Sequence, residues 1–184
     1  MNTNLDEFKR RMQASIDVFA KELSGLRAGR ASINLLEPIK VDAYGSLMPI
    51  SQVGTVSTPE SRLLVVQVWD KGLVKAVEKA IRESSLGVSP SIDGQLVRVV
   101  LPDLNEERRQ ELSKVAAKYA EETKINIRNI RREGNDLAKK LEKNKEMSED
   151  DTHLMIEEIQ ELTDSQIKKV DDMLAAKQKD IMHV

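Results

Sequence analysis

The sequence predicts an α+β protein in which a long three-helix bundle carries an inserted small α/β domain that is rich in β structure. Helical periodicity marks residues 5–29, strand-like patterning replaces it over residues 30–104, and two further helical patterns follow residue 105. We therefore expect a bundle formed by residues 1–29 plus 105–184 and an inserted domain formed by residues 30–104.

The first helix is indicated by apolar residues that recur at steps of three and four positions, which places them on one helix face. We expect this helix to continue to about Gly29. The residues on its apolar face are Leu5, Phe8, Met12, Ile16, Phe19, Leu23 and Leu26.

Two longer helical patterns follow the insertion. Asn105 is a suitable N-cap for the first, which extends to about Lys145 and contains Gly134, a residue that costs about 1 kcal/mol relative to Ala and is a candidate bend. Ser148 and Asp151 have the spacing of a capping box at the start of the second. Because no single helix can bury its apolar stripe alone, a three-helix bundle is the simplest arrangement.

The inserted stretch has the pattern of strands around a short helix. Ile39, Val41 and Ala43 alternate with polar neighbours, and residues 62–69 and 96–101 are β-branched runs typical of buried strands. A helical pattern covers residues 73–85.

Two chain connections join the insertion to the bundle, and paired connections of this kind predict a hinge. The alternative is a rigid interface with ordinary loop residues, and the residues alone do not decide between the two. The predicted hinge residues are Gly29, Arg30, Ala31, Ser32, Pro102, Asp103 and Leu104.

Composition excludes several classes of site. The chain has no Cys and two His, so a disulfide, a thiolate metal site or an imidazole cluster is not expected. Neither G-x-x-x-x-G-K-[ST] nor G-x-G-x-x-G occurs. With no secretory pattern and no apolar run of about 18 residues, we predict a cytoplasmic binding protein without catalytic residues, cofactor, metal or membrane partner.

Charge is strongly uneven although the whole chain has a net charge of only −2. Residues 124–145 contain eight cationic and three anionic side chains. Residues 146–164 contain no cationic side chain and eight anionic ones. Arg128, Arg131 and Arg132 are predicted to lie on a helix face that points away from the core, where guanidinium groups suit RNA phosphates. The alternative is a solvated face that pairs with the acidic helix. Arg27 and Arg30 suit either a phosphate or the last carbonyls of helix one.

Several separated motifs, taken in order, resemble those of bacterial ribosome recycling factors over essentially the whole chain. They are Leu26-Arg27-Ala28-Gly29-Arg30-Ala31-Ser32, Ala76-Val77-Glu78-Lys79-Ala80-Ile81, Leu104-Asn105-Glu106-Glu107-Arg108-Arg109, Arg128-Asn129-Ile130-Arg131-Arg132 with Asn135-Asp136, and Ser148-Glu149-Asp150-Asp151. The resemblance implies an L-shaped monomer that binds the large ribosomal subunit of a post-termination complex. It also implies that elongation factor G, through its own GTP hydrolysis, drives separation of the subunits.

The resemblance also implies roles for individual residues. Arg128, Arg131 and Arg132 match arginines that face large-subunit ribosomal RNA, and Arg27 and Arg30 match arginines near the elbow. Gly134 stands where Ala is common in the family, and Asn105 where Thr is common. The rival interpretations are a helical adaptor that binds a partner protein and a phosphate-handling enzyme.

Overall fold

The computed structural model describes residues 3–26 and 30–183, and the order of its elements matches the predicted α+β class. Three 3-10 turns, Ile33–Leu36, Ile50–Gln52 and Lys71–Leu73, accompany the helices and strands. The helices and strands are α1 (Thr3–Gly25), β1 (Lys40–Ala43), β2 (Ser46–Pro49), β3 (Gly54–Glu60), β4 (Leu63–Val68), α2 (Val74–Arg82), β5 (Ser89–Asp93), β6 (Leu96–Val100), α3 (Glu106–Lys143) and α4 (Glu149–Met182).

The chain forms two compact units. The first comprises Met1–Ala20 with Ala117–Ala176, and the second comprises Lys21–Ala116 with Lys177–Val184. The predicted domain boundaries, after residue 29 and before residue 105, fall within the second unit. They remain predictions.

The first unit is a bundle of three helices whose apolar stripes meet in one core, as the periodicity predicts. Gly134 lies inside this core, where a Cβ would stand 2.8 Å from Cδ1 of Ile159 and 3.4 Å from the ring of Phe8. Helix α3 continues through Gly134, so this glycine permits close packing and does not end the helix. The buried apolar side chains of this core include Phe8, Met12, Ile16 and Phe19 of α1, Tyr119, Ala120, Ile127, Ile130 and Ala138 of α3, and Met155, Ile159 and Val170 of α4.

Asn105 and Ser148 cap the N-terminal ends of α3 and α4, as predicted. The backbone N–H of Arg108 donates to Oδ1 of Asn105 at 2.8 Å, and that of Asp151 donates to Oγ of Ser148 at 3.0 Å. These bonds satisfy N–H groups that a first helical turn otherwise leaves without acceptors.

The end predicted for helix one was wrong, because α1 ends at Gly25 instead of about Gly29. A Cβ at Gly25 would stand 2.7 Å from the carbonyl carbon of Asn34, so the helix meets the returning chain there. Nδ2 of Asn34 also donates to Oγ of Ser24 at 3.1 Å. Residues 27–29 lie outside the described residues.

The second unit contains a four-stranded antiparallel sheet of order β3-β4-β6-β5 and a separate β1-β2 hairpin. The two central strands, β4 and β6, correspond to the predicted runs at 62–69 and 96–101, and their Leu64 and Val99 pair and are fully buried. Helix α2 supplies buried Val77 and Ile81. Strands β3 and β5 were not predicted, because they are edge strands that are mostly exposed and contain prolines.

Candidate nucleic-acid interface

The arginine surface consists of Arg128, Arg131 and Arg132, three side chains that α3 presents within five consecutive residues, slightly more than one helical turn. Arg132 is exposed, and its Nη1 donates to Oδ1 of Asn129 at 3.2 Å. Arg128 is about half-exposed and lies 3.5 Å from a carboxylate oxygen of Glu121. Both side chains therefore interact within α3 and keep access to solvent.

Arg131 is placed differently from its two neighbours. Its Nη1 donates to Oε1 of Gln160 on α4 at 3.3 Å, and its Nε is enclosed without a hydrogen-bond partner. Arg131 is therefore half-buried and covered on one flank by α4, and its role in RNA binding stays a prediction. A helical wheel gives the direction of a side chain but does not show that the neighbouring helix covers one flank of that face.

Carboxylates of the acidic helix do not neutralise the arginine surface. Within residues 3–26 and 30–183, no carboxylate of α4 forms an ion pair with Arg128, Arg131 or Arg132 of α3. Asp171 of α4 pairs with Lys124 instead. On α3, Glu133 is bound by Arg11 of α1 at 2.6 Å, and this hydrogen bond holds the pKa of the Glu133 carboxyl below its usual value. This distribution leaves most of the guanidinium charge available to an anionic ligand.

A second group of arginines lies in the other unit, around a cavity of about 30 Å³. Arg30 is exposed at its edge, whereas Arg27 lies outside the described residues. Arg62 pairs with Asp103 at 2.5 Å and donates to the carbonyl of Leu101 at 3.0 Å. This group adds a cationic side chain that the sequence did not single out.

Arg108 is the buried member of the same group. Its Nη1 donates to the carbonyl oxygen of Leu86 at 2.8 Å and to Oε2 of Glu111 at 3.0 Å. Its place three residues after the Asn105 cap predicted a position in the first helical turn, but not burial. Only the folded chain brings the loop before β5 to that turn.

Both predicted hinge segments contact the turn between β3 and β4. The N–H of Ala31 donates to the carbonyl of Ser61 at 2.6 Å, and Asp103 forms an ion pair with Arg62 at 2.5 Å. Ser32 caps the 3-10 turn that follows it, while Pro102 and Leu104 line the small cavity. Gly29 lies outside the described residues.

Over residues 3–26 and 30–183, no group of three or more His, Asp or Glu side chains is arranged to hold a metal ion. None of the helices in this described part of the chain is long and apolar enough to span a bilayer.

Taken together, these features define an α+β protein with a helical bundle and a cationic face on its longest helix. A sequence profile described as ribosome recycling factor matches residues 19–182. The ribosome-recycling factor of Rhodospirillum centenum is 55% identical over 181 residues, which cover 98% of each chain. That of Bradyrhizobium diazoefficiens is 56% identical over 183 residues, which cover 100% of this chain and 97% of the relative.

Solved structures agree with these relatives. A solution structure of a ribosome recycling factor is 41% identical and covers both chains completely, with a TM-score of 0.54. A second match is 45% identical, covers 97% of both chains and has a TM-score of 0.51. It belongs to models of the T. thermophilus ribosome recycling factor and E. coli elongation factor G bound to the E. coli post-termination complex.

The chain belongs to the ribosome recycling factor family. This confirms the resemblance found in the sequence motifs. The family consists of translation factors that are not enzymes, and GTP hydrolysis is carried out by elongation factor G.

Proposed function

We propose that this chain binds the post-termination ribosome in the cytoplasm and, together with elongation factor G, promotes its dissociation into subunits. The observation that carries this function is family membership over nearly the whole chain. The neighbouring structure of a family member with elongation factor G on a post-termination complex supports the same partners. GTP hydrolysis by elongation factor G supplies the energy, and this chain acts as a monomer without cofactor.

The proposed RNA-binding residues are Arg27, Arg30, Arg128, Arg131 and Arg132. Arg132 supports this proposal best, because it is exposed and donates to the neutral side chain of Asn129. A planar guanidinium donates two parallel hydrogen bonds to a phosphate, so it is well suited to large-subunit ribosomal RNA. The net charge of +5 over residues 124–145 adds a local field that attracts RNA.

The domain organisation is also a proposal: residues 1–29 with 105–184 form the RNA-binding arm, and residues 30–104 form the inserted domain. Its hinge comprises residues 29–32 and 102–104. Both segments reach the same β3–β4 turn, through the hydrogen bond of Ala31 and the ion pair of Asp103 with Arg62, which supports their working as one joint.

A ribosome-splitting assay tests the function. Purified post-termination complexes are mixed with the chain, with and without elongation factor G and GTP, and subunit separation is followed by light scattering. We expect splitting only when the chain, elongation factor G and GTP are all present. Splitting by elongation factor G alone at the same rate would refute the proposal.

An engineered disulfide tests the hinge in a chain that has no cysteine of its own. The double variant Ser24→Cys with Asn34→Cys joins α1 to the inserted domain across the first hinge segment, where the two side chains are already hydrogen-bonded at 3.1 Å. When oxidised, the variant is expected to bind ribosomes but not to split them, and reduction restores splitting. Undiminished splitting by the oxidised variant would refute the hinge.

A further inference from the structure

Arg131 is the member of the arginine surface that a second helix holds. Arg128 and Arg132 interact with Glu121 and Asn129 of their own helix, whereas Arg131 donates to Gln160 on α4 at 3.3 Å. On its own helix, one turn further along, Oδ1 of Asn135 is a hydrogen-bond acceptor. This atom is enclosed and has no hydrogen-bond partner, so it does not hold Arg131. The position of the Arg131 guanidinium is therefore set across the helix pair.

The orientation of the Gln160 side chain is itself fixed. Its Nε2 donates to Oδ1 of Asp164 at 2.8 Å, one turn further along α4. An ionised carboxylate only accepts hydrogen bonds and a guanidinium only donates them. Both neighbours therefore require the same carboxamide orientation, with the nitrogen toward Asp164 and the oxygen toward Arg131.

The chemistry of this contact suits an arginine that has to remain available to an anion. A carboxylate at position 160 would neutralise the guanidinium, but the carboxamide holds it through one hydrogen bond and leaves its charge uncompensated. The Asp164 carboxylate orients Gln160 by accepting a hydrogen bond from its Nε2, and it does not pair with Arg131. Holding a long side chain in place before binding also reduces the conformational entropy lost when the ligand arrives.

We infer that Gln160, oriented by Asp164, is a positioning residue that holds the Arg131 guanidinium ready for a phosphate of ribosomal RNA. This inference rests on the proposed RNA-binding function of Arg131. It assigns a role in RNA binding to α4, although the acidic first half of this helix would by itself repel RNA. Gln160 acts through Arg131 and need not touch RNA.

A double-mutant cycle on purified large ribosomal subunits tests the inference. Gln160→Ala and Asp164→Ala are each expected to weaken binding about threefold to tenfold, the range for leaving one long side chain to be ordered on binding. Gln160→Glu is expected to weaken it further, because the new carboxylate pairs with the guanidinium. In an Arg131→Ala background, Gln160→Ala is expected to have no additional effect.

Gln13→Ala is the matched control: Gln13 donates to Asp17 at 2.9 Å with the same spacing on α1 but, within residues 3–26 and 30–183, bonds to no arginine. It is expected to bind normally. Equal losses for Gln160→Ala with and without Arg131, or an equal loss for Gln13→Ala, would overturn the positioning role. Normal binding by Gln160→Ala, when Arg131→Ala is defective, would overturn it too and leave the RNA-binding proposal standing. Normal binding by Arg131→Ala would instead overturn the RNA-binding role of Arg131 itself.

Discussion

Gly134 of α3 lies directly against Ile159 of α4, so that a Cβ on residue 134 would stand 2.8 Å from the Cδ1 methyl group of Ile159. Ile159 is fully buried, and the ring of Phe8 closes the same space at 3.4 Å. The absence of a side chain at residue 134 thus lets three helices pack closely around one point. From the sequence this glycine was a candidate bend, whereas the structure shows that packing accounts for it.

Gly134→Ala is expected to lower the free energy of unfolding by about 1 kcal/mol. The better helix propensity of Ala is worth about 1 kcal/mol, but overpacking a filled core costs about 1–3 kcal/mol. In an Ile159→Val background, which removes the Cδ1 methyl, the same substitution is expected to be neutral or stabilising. Urea unfolding of the four proteins measures the cycle. An equal loss in both backgrounds would show that the Ile159 contact is not the cause.

Asn105→Ala is expected to destabilise the protein by about 1 kcal/mol, because it removes the side-chain acceptor that caps the first turn of α3 at 2.8 Å. Asn144→Ala is the control, since Asn144 follows the end of the same helix and its side chain makes a long, exposed contact of 3.4 Å with Glu146. Thermal unfolding compares the two variants. A loss for Asn144→Ala as large as that for Asn105→Ala would contradict the capping role.

Arg108→Ala is expected to cost about 2–3 kcal/mol of stability, because it leaves the Leu86 carbonyl without its charged donor in a buried site. Arg82→Ala is the matched control: Arg82 makes an exposed ion pair with Glu78, and such pairs are worth about 0.3–0.5 kcal/mol. Chemical denaturation measures both losses. If the Arg108 variant lost no more than the Arg82 variant, its contact with Leu86 would not stabilise the fold.

Tyr44 and Asp70 perturb each other's ionisation. The Tyr44 hydroxyl donates to Oδ2 of Asp70 at 2.7 Å, and this bond, with a second from the Gly72 N–H, holds the pKa of Asp70 below its ordinary value of 3.8. The same bond raises the pKa of Tyr44 above 10.0. The stabilisation from Asp70 is therefore present above pH 3.8 and lost as pH falls through the lowered pKa. The stabilisation from Tyr44 is present below pH 10.0 and lost as pH rises through the raised pKa.

Tyr44→Phe is expected to raise the pKa of Asp70 toward its ordinary value, because it removes the largest cause of the shift. An NMR titration of the Asp70 carboxyl carbon measures this change. Tyr119→Phe is the control, since Tyr119 belongs to the other compact unit. An unchanged Asp70 titration in Tyr44→Phe would mean that the hydrogen bond is not maintained in solution.

Local signals predicted most of the fold. The three- and four-residue steps located the long helices, and the spacing of Asn105 and Ser148 from the turns they cap located two helix starts. The central strands were recognisable as runs of β-branched and aliphatic residues, although only one face of each is buried and the other exposes Gln67 and Arg98. The edge strands β3 and β5 were not recognisable, since both are mostly polar and contain a proline. They form strands only by pairing with β4 and β6.

The candidate site was predictable only in part. Residue spacing placed Arg132 on the exposed face of α3, but the contact of Arg131 with Gln160 joins residues 29 positions apart and depends on how two helices pack. The burial of Arg108 likewise depends on the Leu86 carbonyl, 22 positions earlier in the chain. Contacts of this range are set by tertiary packing, and a single sequence contains no local signal for them.

The salt dependence of binding to the large ribosomal subunit tests the central claim, that the arginine surface binds RNA phosphates. A triple variant, with Gln replacing Arg128, Arg131 and Arg132, is compared with the unmodified chain across a range of salt concentrations. Its control replaces Lys9, Lys168 and Lys169, three exposed cations of the same compact unit. A plot of log affinity against log salt has a negative slope. We predict that the slope of the arginine variant is shallower by about 2–3, at about 0.7–0.9 for each lost phosphate contact. We predict little change for the lysine variant, and an equal slope for all three proteins would contradict the account.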